Sequence, residues 1–454
     1  MTATTLSVAT TRRAGSLAVA TTHAGGVGAD QALRCRACGQ TAVDAVFCDL
    51  GGAPPSNRFL RHEDLTRPEP WLPLRTLVCR HCRLVQVDQI ADAALHRAIF
   101  NDDYAYFSSY SSAWLAHACA LVERACARLG LGGDDFVLEV ASNDGYLLRY
   151  VVERGLRCLG VEPTANTAAV ARARGVPTEI AFFDLALAQR LAARHGRARW
   201  IAANNVLAHV PDPNPFVAGL AAALHEQGAL TLEFPHLVAM VRERQFDTIY
   251  HEHFSYFSLL AAERLLARHG LAVWDVEQLP THGGSLRLWV AHAAAQCAPS
   301  AALERFRAEE RALGVDGGAF YTGFQRAAED VKNAFVGFLL QARAVGKTVA
   351  AYGAAAKGNT LLNFAGVRSD LLACVADASP HKQGRYLPGS RIPVVAPEHL
   401  DRLRPDYIVL LPWNLEAELT ARWRHAAAWG ARLVVAVPRL RVIDPAAVPA
   451  EARA

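Results

Sequence analysis

The chain has 454 residues and a formal net charge of +4 at pH 7; 52% of its residues are hydrophobic and 20% are charged. This length predicts two or three domains, and the composition excludes an intrinsically disordered chain. So small a charge gives no reason to expect nucleic acid or a membrane surface as a partner, and the sequence has no apolar run of about 18 residues that would span a bilayer.

Residues 1–32 are rich in Thr, Ala and Gly. Arg12 and Arg13 precede only a modest apolar stretch, which is a weak match to a secretory signal, so we interpret this segment as a flexible leader. The ten cysteines include two C-x-x-C pairs, and the others are isolated. This usage is typical of metal binding and buried thiols in a reducing compartment, so we expect a cytoplasmic protein.

Residues 33–90 form the first predicted domain, which is rich in proline and therefore in loops. Its two cysteine pairs, separated by 40 residues, are the candidate metal ligands Cys35, Cys38, Cys79 and Cys82. Two tight turns that each present two thiolates complete a tetrahedral Zn²⁺ site, and a site closed by four cysteines is structural. The alternative is four free buried thiols. Cys48 is either a replacement ligand or a core thiol.

Residues 91–300 form the second predicted domain. A helical bridge comes first, and strand-like segments that alternate with helices follow it. The predicted strands are Phe136–Val140, Cys158–Val161, Trp200–Asn204, Ala229–Phe234 and Leu286–Val290. Alternation of this kind predicts a mostly parallel, doubly wound sheet.

The first of these strands leads into an acidic turn of small residues. The candidate cofactor ligands there are Glu139, Ser142, Asn143, Asp144 and Gly145. A turn at the carboxyl end of a first parallel strand lets a ligand approach the backbone closely. The G-x-G-x-x-G dinucleotide fingerprint is absent, and the two carboxylates would repel a pyrophosphate. They suit a sulfonium cation that carries an amino-acid tail.

The second strand ends at Glu162, about 20 residues after the acidic turn, where an acid hydrogen-bonds ribose hydroxyls in doubly wound folds. Each carboxylate alone is explained as well by a solvated turn. Together and in this order, they favour S-adenosylmethionine as the cofactor. Asn204, at the end of a later strand, either borders the same pocket or serves only the turn.

Residues 250–256, with the sequence Y-H-E-H-F-S-Y, form the densest polar cluster of this domain. His251 and His253 are two residues apart, whereas the zincin motif needs histidines four apart on one helix face, so that interpretation fails. A histidine titrates near neutrality and is the usual general base. The cluster therefore indicates acid–base chemistry, and the alternative is a structural aromatic–histidine cluster at a domain junction.

A charged helical linker is predicted over residues 301–346, and a second, smaller α/β unit over residues 347–442. The predicted strands of this unit are Thr348–Tyr352, Leu371–Ala376, Tyr407–Leu411 and Ala431–Val437. The turns after its first two strands hold the candidate substrate ligands Tyr352, Lys357, Asn359, Lys382 and Arg385. Backbone N–H groups at a helix start and basic side chains suit phosphate, and the alternative is ordinary strand–helix turns.

Taken in order, these motifs resemble the zinc-containing, S-adenosylmethionine-dependent sugar C-methyltransferases of antibiotic deoxysugar pathways. The resemblance rests on the two cysteine pairs, E-x-A-S-N-D-G-Y-L, Y-H-E-H-F-S-Y-F-S, Y-G-A-A-A-K-G-N-T and D-x-S-P-x-K-x-G-R-Y-x-P-G. It covers about residues 33–442 and implies a zinc-binding domain, a class I methyltransferase domain and a Rossmann-like domain that binds the sugar nucleotide. Ala141 departs from the glycine often found there, but the two residues are close in size, so we expect cofactor binding to persist.

The resemblance implies methylation at C3 of a dTDP-4-keto-deoxyhexose. A 4-keto group acidifies the neighbouring C3–H, so removal of that proton gives an enolate that attacks the methyl group. By resemblance, His253 is the general base, Tyr250 and Glu252 steer the sugar and polarise the keto oxygen, and Tyr104 is an aromatic contributed by the bridge.

Two other classes of function compete with this interpretation. The missing glycine fingerprint disfavours an NAD-linked nucleotide-sugar oxidoreductase. The intact acidic turn and the histidine cluster disfavour a non-catalytic, zinc-bearing scaffold.

Overall fold

The computed structural model describes residues 33–88 and 106–447, so the predicted leader and Tyr104 lie outside the described residues. Within this part of the chain the strands form three sheets. The first sheet, in the order β1-β2-β3-β9, is antiparallel. Its strands are β1 (Val43–Ala53), β2 (Leu72–Cys79), β3 (Val85–Val87) and β9 (Ser255–Tyr256). The last strand is the end of the histidine cluster, residues 250–256, so the cluster itself adds a strand to the sheet of the cysteine pairs.

The second sheet has the order β10-β11-β8-β7-β4-β5-β6. Its strands are β4 (Phe136–Val140), β5 (Arg157–Val161), β6 (Thr178–Glu179), β7 (Ala198–Asn204), β8 (Leu224–Pro235), β10 (Leu271–Leu279) and β11 (Ser285–His292). Strands β4 to β8 are parallel, and β10 and β11 form an antiparallel hairpin beside them. All five residues of β4 are buried, as expected for a central parallel strand covered on both faces.

The third sheet has the order β14-β13-β12-β15-β16-β17. Its strands are β12 (Val349–Tyr352), β13 (Val375–Ala376), β14 (Val394–Val395), β15 (Tyr407–Leu410), β16 (Arg432–Val435) and β17 (Arg441–Ile443). Only β17 joins antiparallel. The second and third sheets thus repeat one doubly wound order around their first strands, and the predicted fold class is confirmed.

Helices cover the sheets and connect them. The α-helices of the described residues are α1 (Ser112–Leu129), α2 (Leu148–Val152), α3 (Ala165–Ala173), α4 (Leu185–His195), α5 (Pro213–Ala223), α6 (Leu237–Arg242), α7 (Leu259–Ala267), α8 (Ala301–Ala312), α9 (Phe324–Ala344), α10 (Ala356–Phe364), α11 (Glu398–Leu403) and α12 (Glu416–Arg422). Helix α1 starts where the Ser111 hydroxyl accepts a bond from the Trp114 N–H, and it ends at Gly130 in the left-handed conformation. In the described ranges no helix combines the length and the apolar character needed to cross a membrane.

Most predicted strands appear within a few residues of their expected bounds. One was wrong in extent: the segment Leu371–Ala376 forms a strand only at Val375–Ala376, because the residues before it make a turn. The helix after β4 begins at Leu148, and Tyr146 lies in the turn that precedes it. Boundaries shifted here because turn geometry, which hydrophobic periodicity does not encode, takes up the residues between elements.

The predicted linker contains α8 and α9, and α9 buries a stripe of residues at helical spacing. Phe324, at its start, stacks on Phe47 of β1 with ring centroids 4.4 Å apart. A single apolar cluster contains Phe47, Phe335 of α9 and Val375 of the third sheet. The first sheet, α9 and the third sheet therefore share one core. Tyr256 of the histidine cluster belongs to the same core, so the cluster is held against both sheets.

Candidate active site and metal centre

The four predicted metal ligands lie together. The sulfur atoms of Cys35, Cys38, Cys79 and Cys82 are all within 4.8 Å of one another. The Cys35–Cys82 sulfur distance is 3.4 Å and the Cys38–Cys79 distance is 3.6 Å, close to the ~3.8 Å edge of a tetrahedron with Zn–S bonds of about 2.3 Å. The donor set therefore fits Zn²⁺. Cys48 is not part of this group: it is fully buried in the core that contains Phe47.

Each cysteine pair closes a tight turn. The residue after each pair, Gly39 or Arg83, has a left-handed backbone with φ of 75° or 66°, and its N–H donates to the carbonyl of the pair's first cysteine. The first turn also contacts the histidine cluster, because the Arg36 guanidinium lies 5.2 Å from the Phe254 ring centroid. The metal centre therefore braces the segment that follows His253.

The acidic turn after β4 has a strained backbone. Ala141, Asn143 and Gly145 all have positive φ, at 59°, 48° and 77°. A side chain at Gly145 would crowd Ala171 of α3, with a Cβ only 3.2 Å from the Ala171 Cβ. Glycine is required at this close approach, whereas at Ala141 the relevant property is backbone conformation. The sequence comparison of alanine with glycine at position 141 considered only their size. The structure shows that alanine is unfavourable there because of its positive φ, which strains the backbone.

Buried polar atoms without partners mark the carboxyl ends of β4 and β7. Glu139 is fully buried, and neither of its carboxylate oxygens makes a close hydrogen bond among the described residues, although the Tyr146 hydroxyl and the Leu148 N–H interact with it weakly. The Ser142 hydroxyl and the Asn204 carbonyl oxygen also lack a hydrogen-bond partner in the described part of the chain. Burial raises the pKa of Glu139 well above its usual range, so its ionised form needs a positive charge beside it. These groups fit a ligand that carries a cation and hydrogen-bonding groups.

Glu162 lies at the carboxyl end of β5 and holds the acidic turn. Its Oε2 accepts from the Asn143 N–H at 2.9 Å, and its Oε1 accepts from the Thr164 N–H at 3.0 Å. The Thr164 hydroxyl also donates to Oε1, at 2.5 Å. A carboxylate accepts about four hydrogen bonds, so capacity is left for one ligand hydroxyl. Glu162 therefore combines a structural contact with the position expected of a ribose ligand.

The side chains of Asn143 and Asp144 turn toward the bridge rather than toward Glu139. The Asn143 Oδ1 accepts from the Ser108 N–H at 2.9 Å. The Asp144 Oδ2 accepts from the Ser109 hydroxyl and pairs with the Arg174 guanidinium at 3.1 Å. These two predicted cofactor ligands therefore hold residues 108–109 over the acidic turn, which sequence reasoning had not anticipated.

His253 is buried and its tautomer is fixed by its neighbours. Nδ1 lies 2.9 Å from the Thr248 carbonyl oxygen, which only accepts, so Nδ1 carries the proton. Nε2 keeps its lone pair and lies 2.7 Å from the Tyr250 hydroxyl. Burial, with a smaller contribution from the nearby His209, lowers the pKa of His253 well below its usual range. The imidazole is therefore neutral at neutral pH and able to accept a proton at Nε2.

Glu252 and His251 point to the first predicted domain. The Glu252 Oε2 accepts from the Asn57 amide at 2.5 Å, and its buried Oε1 has no partner among the described residues. Burial raises the pKa of the Glu252 carboxyl to about 7. The His251 Nε2 donates to the Pro73 carbonyl at 3.2 Å. The three residues 251–253 thus divide their roles: His251 anchors the loop, whereas Glu252 and His253 present titratable groups.

The predicted substrate ligands of the third sheet do not all face one space. The Tyr352 ring lies in a core cluster, 5.3 Å from the Trp423 ring, which points to a structural role. Lys357 donates to the Asn414 Oδ1 at 2.7 Å and lies 4.5 Å from the Trp413 ring. Asn359 is buried, and both polar atoms of its amide lack partners among the described residues, as expected of a ligand-binding amide.

Lys382 closes the turn after β12. Its Nζ donates to the Ala354 carbonyl at 3.0 Å and lies 3.4 Å from the Asp377 carboxylate. The same carboxylate accepts from the Ala354 N–H at 2.7 Å. Arg385 is partly buried on the same loop, one residue before Tyr386, which pairs with Leu60 of the first domain. These contacts bring the loop 377–386 to the first domain.

Four residues near His253 were missed. They are Asp247, Trp413, His209 and His282. The Trp413 indole N–H donates to the Asp247 Oδ2 at 2.7 Å, and the rings of His209 and His253 are 4.6 Å apart. His282 has φ of 55° and its ring lies 5.4 Å from that of Trp114. Of these four, only His282 gave a signal in the sequence, as a lone histidine before the glycine turn 283–284. The other three could not be found from the sequence because their contacts depend on tertiary packing.

Three family models match successive parts of the chain. Residues 35–95 match the model described as "Putative zinc binding domain", residues 114–276 match "Methyltransferase domain", and residues 280–438 match "C-methyltransferase C-terminal domain". With the order of the second sheet, these matches define a class I S-adenosylmethionine-dependent methyltransferase.

The chain is 36% identical over 411 residues to the C-methyltransferase NovU of Streptomyces niveus, an alignment that spans 90% of this chain and 96% of the relative. The chain therefore belongs to the C-methyltransferase family that includes NovU. This membership confirms the predicted family and decides against the oxidoreductase and scaffold alternatives.

Solved structures similar to this chain include other methyltransferases. One is the 1,6-didemethyltoxoflavin-N1-methyltransferase of Burkholderia thailandensis, 18% identical, with a TM-score of 0.33 over 46% of this chain and 94% of that one. Another is the magnesium protoporphyrin IX methyltransferase of Synechocystis PCC 6803, 14% identical, with a TM-score of 0.31 over 39% of this chain and 84% of that one.

Proposed function

We propose that this C-methyltransferase transfers the methyl group of S-adenosylmethionine to C3 of a dTDP-4-keto-deoxyhexose in deoxysugar biosynthesis for an antibiotic. The observation that carries the proposal is His253: a buried, neutral imidazole whose Nδ1 proton is held by a carbonyl and whose Nε2 lone pair faces the Tyr250 hydroxyl, 2.7 Å away, which a substrate C–H must displace. Carbon becomes a nucleophile only after deprotonation, and an imidazole in this state is a suitable base.

The reaction runs through an enolate. The His253 Nε2 takes the C3 proton, the C–H electron pair forms the C3–C4 double bond, and the carbonyl electrons move to oxygen. C3 then attacks the methyl carbon, the carbonyl re-forms, and S-adenosylhomocysteine leaves. In this account Tyr250 and Glu252 steer the sugar and polarise the keto oxygen, and Tyr104 adds an aromatic contact.

The cofactor lies, in this proposal, at the carboxyl ends of β4, β5 and β7. Glu139 faces the positively charged amino group of the cofactor's amino-acid tail, which S-adenosylhomocysteine also carries, and Glu162 binds the ribose. Ser142 and Asn204 supply further hydrogen bonds, and Gly145 keeps the turn in its shape by letting α3 pack against it. Asn143 and Asp144 act through residues 108–109, which they hold in place.

Each domain has its own role in this proposal. Residues 33–90 bind a structural Zn²⁺ through the four cysteines, and residues 91–300 bind the methyl donor. Residues 301–346 connect that domain to residues 347–442, which bind the nucleotide part of the sugar nucleotide. Asn359, Lys382 and Arg385 are the proposed contacts to the substrate. The unsatisfied amide of Asn359 supports its place in this set.

The test uses dTDP-4-keto-6-deoxyglucose, whose keto group acidifies the protons at both C3 and C5. With S-adenosylmethionine we expect a product heavier by one methyl group. With S-adenosylhomocysteine in D₂O we expect exchange of the C3 proton, seen by NMR. His253→Gln should abolish both while it binds S-adenosylhomocysteine normally, and His425→Gln, at an exposed site, should change neither. Exchange at C5 instead of C3 would overturn C3 as the proposed site of methylation but would still support a mechanism through an enolate.

A further inference from the structure

Lys357 is a positive charge with neutral partners. Its Nζ donates to the side-chain oxygen of Asn414 at 2.7 Å, and it lies 4.5 Å from the centre of the Trp413 ring. Among the described residues, no carboxylate lies within 4.0 Å of this ammonium group. The side chain is only partly buried, so an anion can reach it. A lysine that is partly removed from water and has no carboxylate in contact is costly unless a ligand supplies a negative charge beside it.

The backbone around Lys357 adds to its positive character. Lys357 is the second residue of α10, a helix of nine residues, so it lies beside the positive end of the helix dipole. Burial lowers the pKa of its ammonium group, and the nearest opposing influence is Asp247. An anion placed at this point would satisfy both the side chain and the helix start.

A chain of contacts joins Lys357 to the turn that fixes His253. Trp413, over which the Lys357 ammonium lies, donates its indole N–H to Asp247. Asp247 immediately precedes Thr248, whose carbonyl fixes the tautomer of His253. The next residue of this turn is held by the same helix as Lys357, since the Thr360 hydroxyl donates to the Ile249 carbonyl at 3.1 Å.

Two further observations place Lys357 and the base in one electrostatic environment. The positive charge of Lys357 contributes to the lowered pKa of His253 and of His282, although burial is the main cause for both. The turn at His282 packs directly on Trp413, because a Cβ at Gly283 would overlap that ring. The ammonium therefore interacts with the histidines through protein rather than through bulk water.

We infer that Lys357 is a catalytic residue whose ammonium group stabilises the enolate oxygen formed at C4 of the sugar. The inference rests on the proposed function. When the C3 proton moves to the His253 Nε2, the carbonyl electrons move to the C4 oxygen, which becomes an oxyanion beside Lys357. When C3 takes the methyl group, the carbonyl re-forms and the charge on oxygen disappears.

A diphosphate suits Lys357 less well. In the turn that precedes the helix, the Ala354 N–H is bonded to the Asp377 carboxylate and the Ala355 N–H to the Gly353 carbonyl, so this turn offers a phosphate fewer free N–H donors than a phosphate-binding turn does. A diphosphate also carries more than one charge, whereas the neutral side chains at Lys357 offer a single cation. One desolvated ammonium group matches the single charge of an enolate.

The test measures enolate formation without methyl transfer. Lys357→Met and wild type are saturated with S-adenosylhomocysteine and dTDP-4-keto-6-deoxyglucose in D₂O, and proton exchange at C3 and C5 is followed by NMR. The affinity for dTDP alone is measured by titration. Lys332→Met is the matched control, because Lys332 also lies over an aromatic ring, 4.7 Å from the Phe364 centroid, outside the proposed site.

We expect exchange at saturation to fall about 100-fold or more in Lys357→Met, the size of effect seen when one oxyanion donor is removed. The affinity for dTDP should change less than twofold, and Lys357→Arg should recover part of the exchange. S-adenosylhomocysteine binding reports that each variant is folded. Unchanged exchange with weakened dTDP binding would overturn the inference and assign Lys357 to the diphosphate. A wild type that exchanges neither proton would overturn the proposed function and this inference together.

Discussion

The turns after β4 and β12 are built alike but present different chemistry. Each follows the first strand of a doubly wound sheet, and each is held by an acid at the end of the next strand. The Glu162 carboxylate accepts from the Asn143 N–H at 2.9 Å, and the Asp377 carboxylate accepts from the Ala354 N–H at 2.7 Å. Backbone geometry alone would make both turns candidate cofactor sites.

Side chains separate the two turns. Beside the first, the buried Glu139 carboxylate makes no close hydrogen bond among the described residues. Beside the second, Lys382 neutralises Asp377 and bonds to the Ala354 carbonyl. The first turn therefore needs a cationic ligand to complete it, whereas the acid of the second turn already has its own lysine. A repeated fold identifies where a ligand can bind, and the unsatisfied carboxylate identifies which of the two turns suits a cationic ligand.

The largest effect is expected on cofactor affinity, when the acids of the two turns, Glu162 and Asp377, are each replaced by alanine. Glu162→Ala should weaken S-adenosylhomocysteine binding by about 100-fold or more, since it removes the proposed ribose ligand and the brace of the turn, whereas Asp377→Ala should leave that affinity within about threefold. Calorimetric titration of both variants measures this. Equal losses in the two variants would show that the turns are not distinguished as we propose.

The glycine of the second turn should tolerate no side chain. Gly353 has φ of 90°, and a Cβ there would overlap the ring of Pro412. We expect Gly353→Ala to lower the free energy of unfolding by roughly 2–4 kcal/mol through strain and overpacking. Urea denaturation measures this, with Gly346→Ala, at a similar φ but in open space, as the control for strain alone. A loss no larger than the control's would exclude the steric contact.

The histidine cluster, which adjoins the helix of the second turn, should give stability a pH dependence. Burial raises the pKa of Glu252 to about 7, so the folded state binds a proton that the unfolded chain has already released. Wild-type stability should therefore fall as pH rises from 5 to 7, by about 2 kcal/mol relative to Glu252→Gln. Urea denaturation at several pH values tests this, and parallel pH profiles for the two proteins would contradict it.

The smallest expected effect concerns the strained alanine of the first turn. Ala141 has φ of 59°, which costs alanine about 1–2 kcal/mol, while glycine adds about 0.5–1 kcal/mol of entropy to the unfolded chain. We expect Ala141→Gly to stabilise the protein by about 0.5 kcal/mol and to keep its affinity for S-adenosylhomocysteine. Thermal unfolding with and without the ligand checks both, and a destabilised variant would contradict the strain argument.

The features predicted from the sequence were those with a local cause. Cysteine spacing predicted the metal cluster, and apolar runs that end in acids predicted β4, β5 and the turn between them. The contacts from Trp413 to Asp247 and from Arg36 to Phe254 were not predictable, because they join segments more than 160 residues apart. Nor did the sequence indicate that the Asn143 and Asp144 side chains face the bridge, since their spacing is the same in either orientation.

The most direct test of the account is the stoichiometry of S-adenosylhomocysteine binding to the zinc-loaded protein, measured by calorimetric titration. The account predicts one molecule per chain, bound at the turn after β4, with the heat of binding lost in Glu139→Gln and retained in Asp377→Ala. Two molecules per chain, or one whose binding survives Glu139→Gln and is lost in Asp377→Ala, would contradict it.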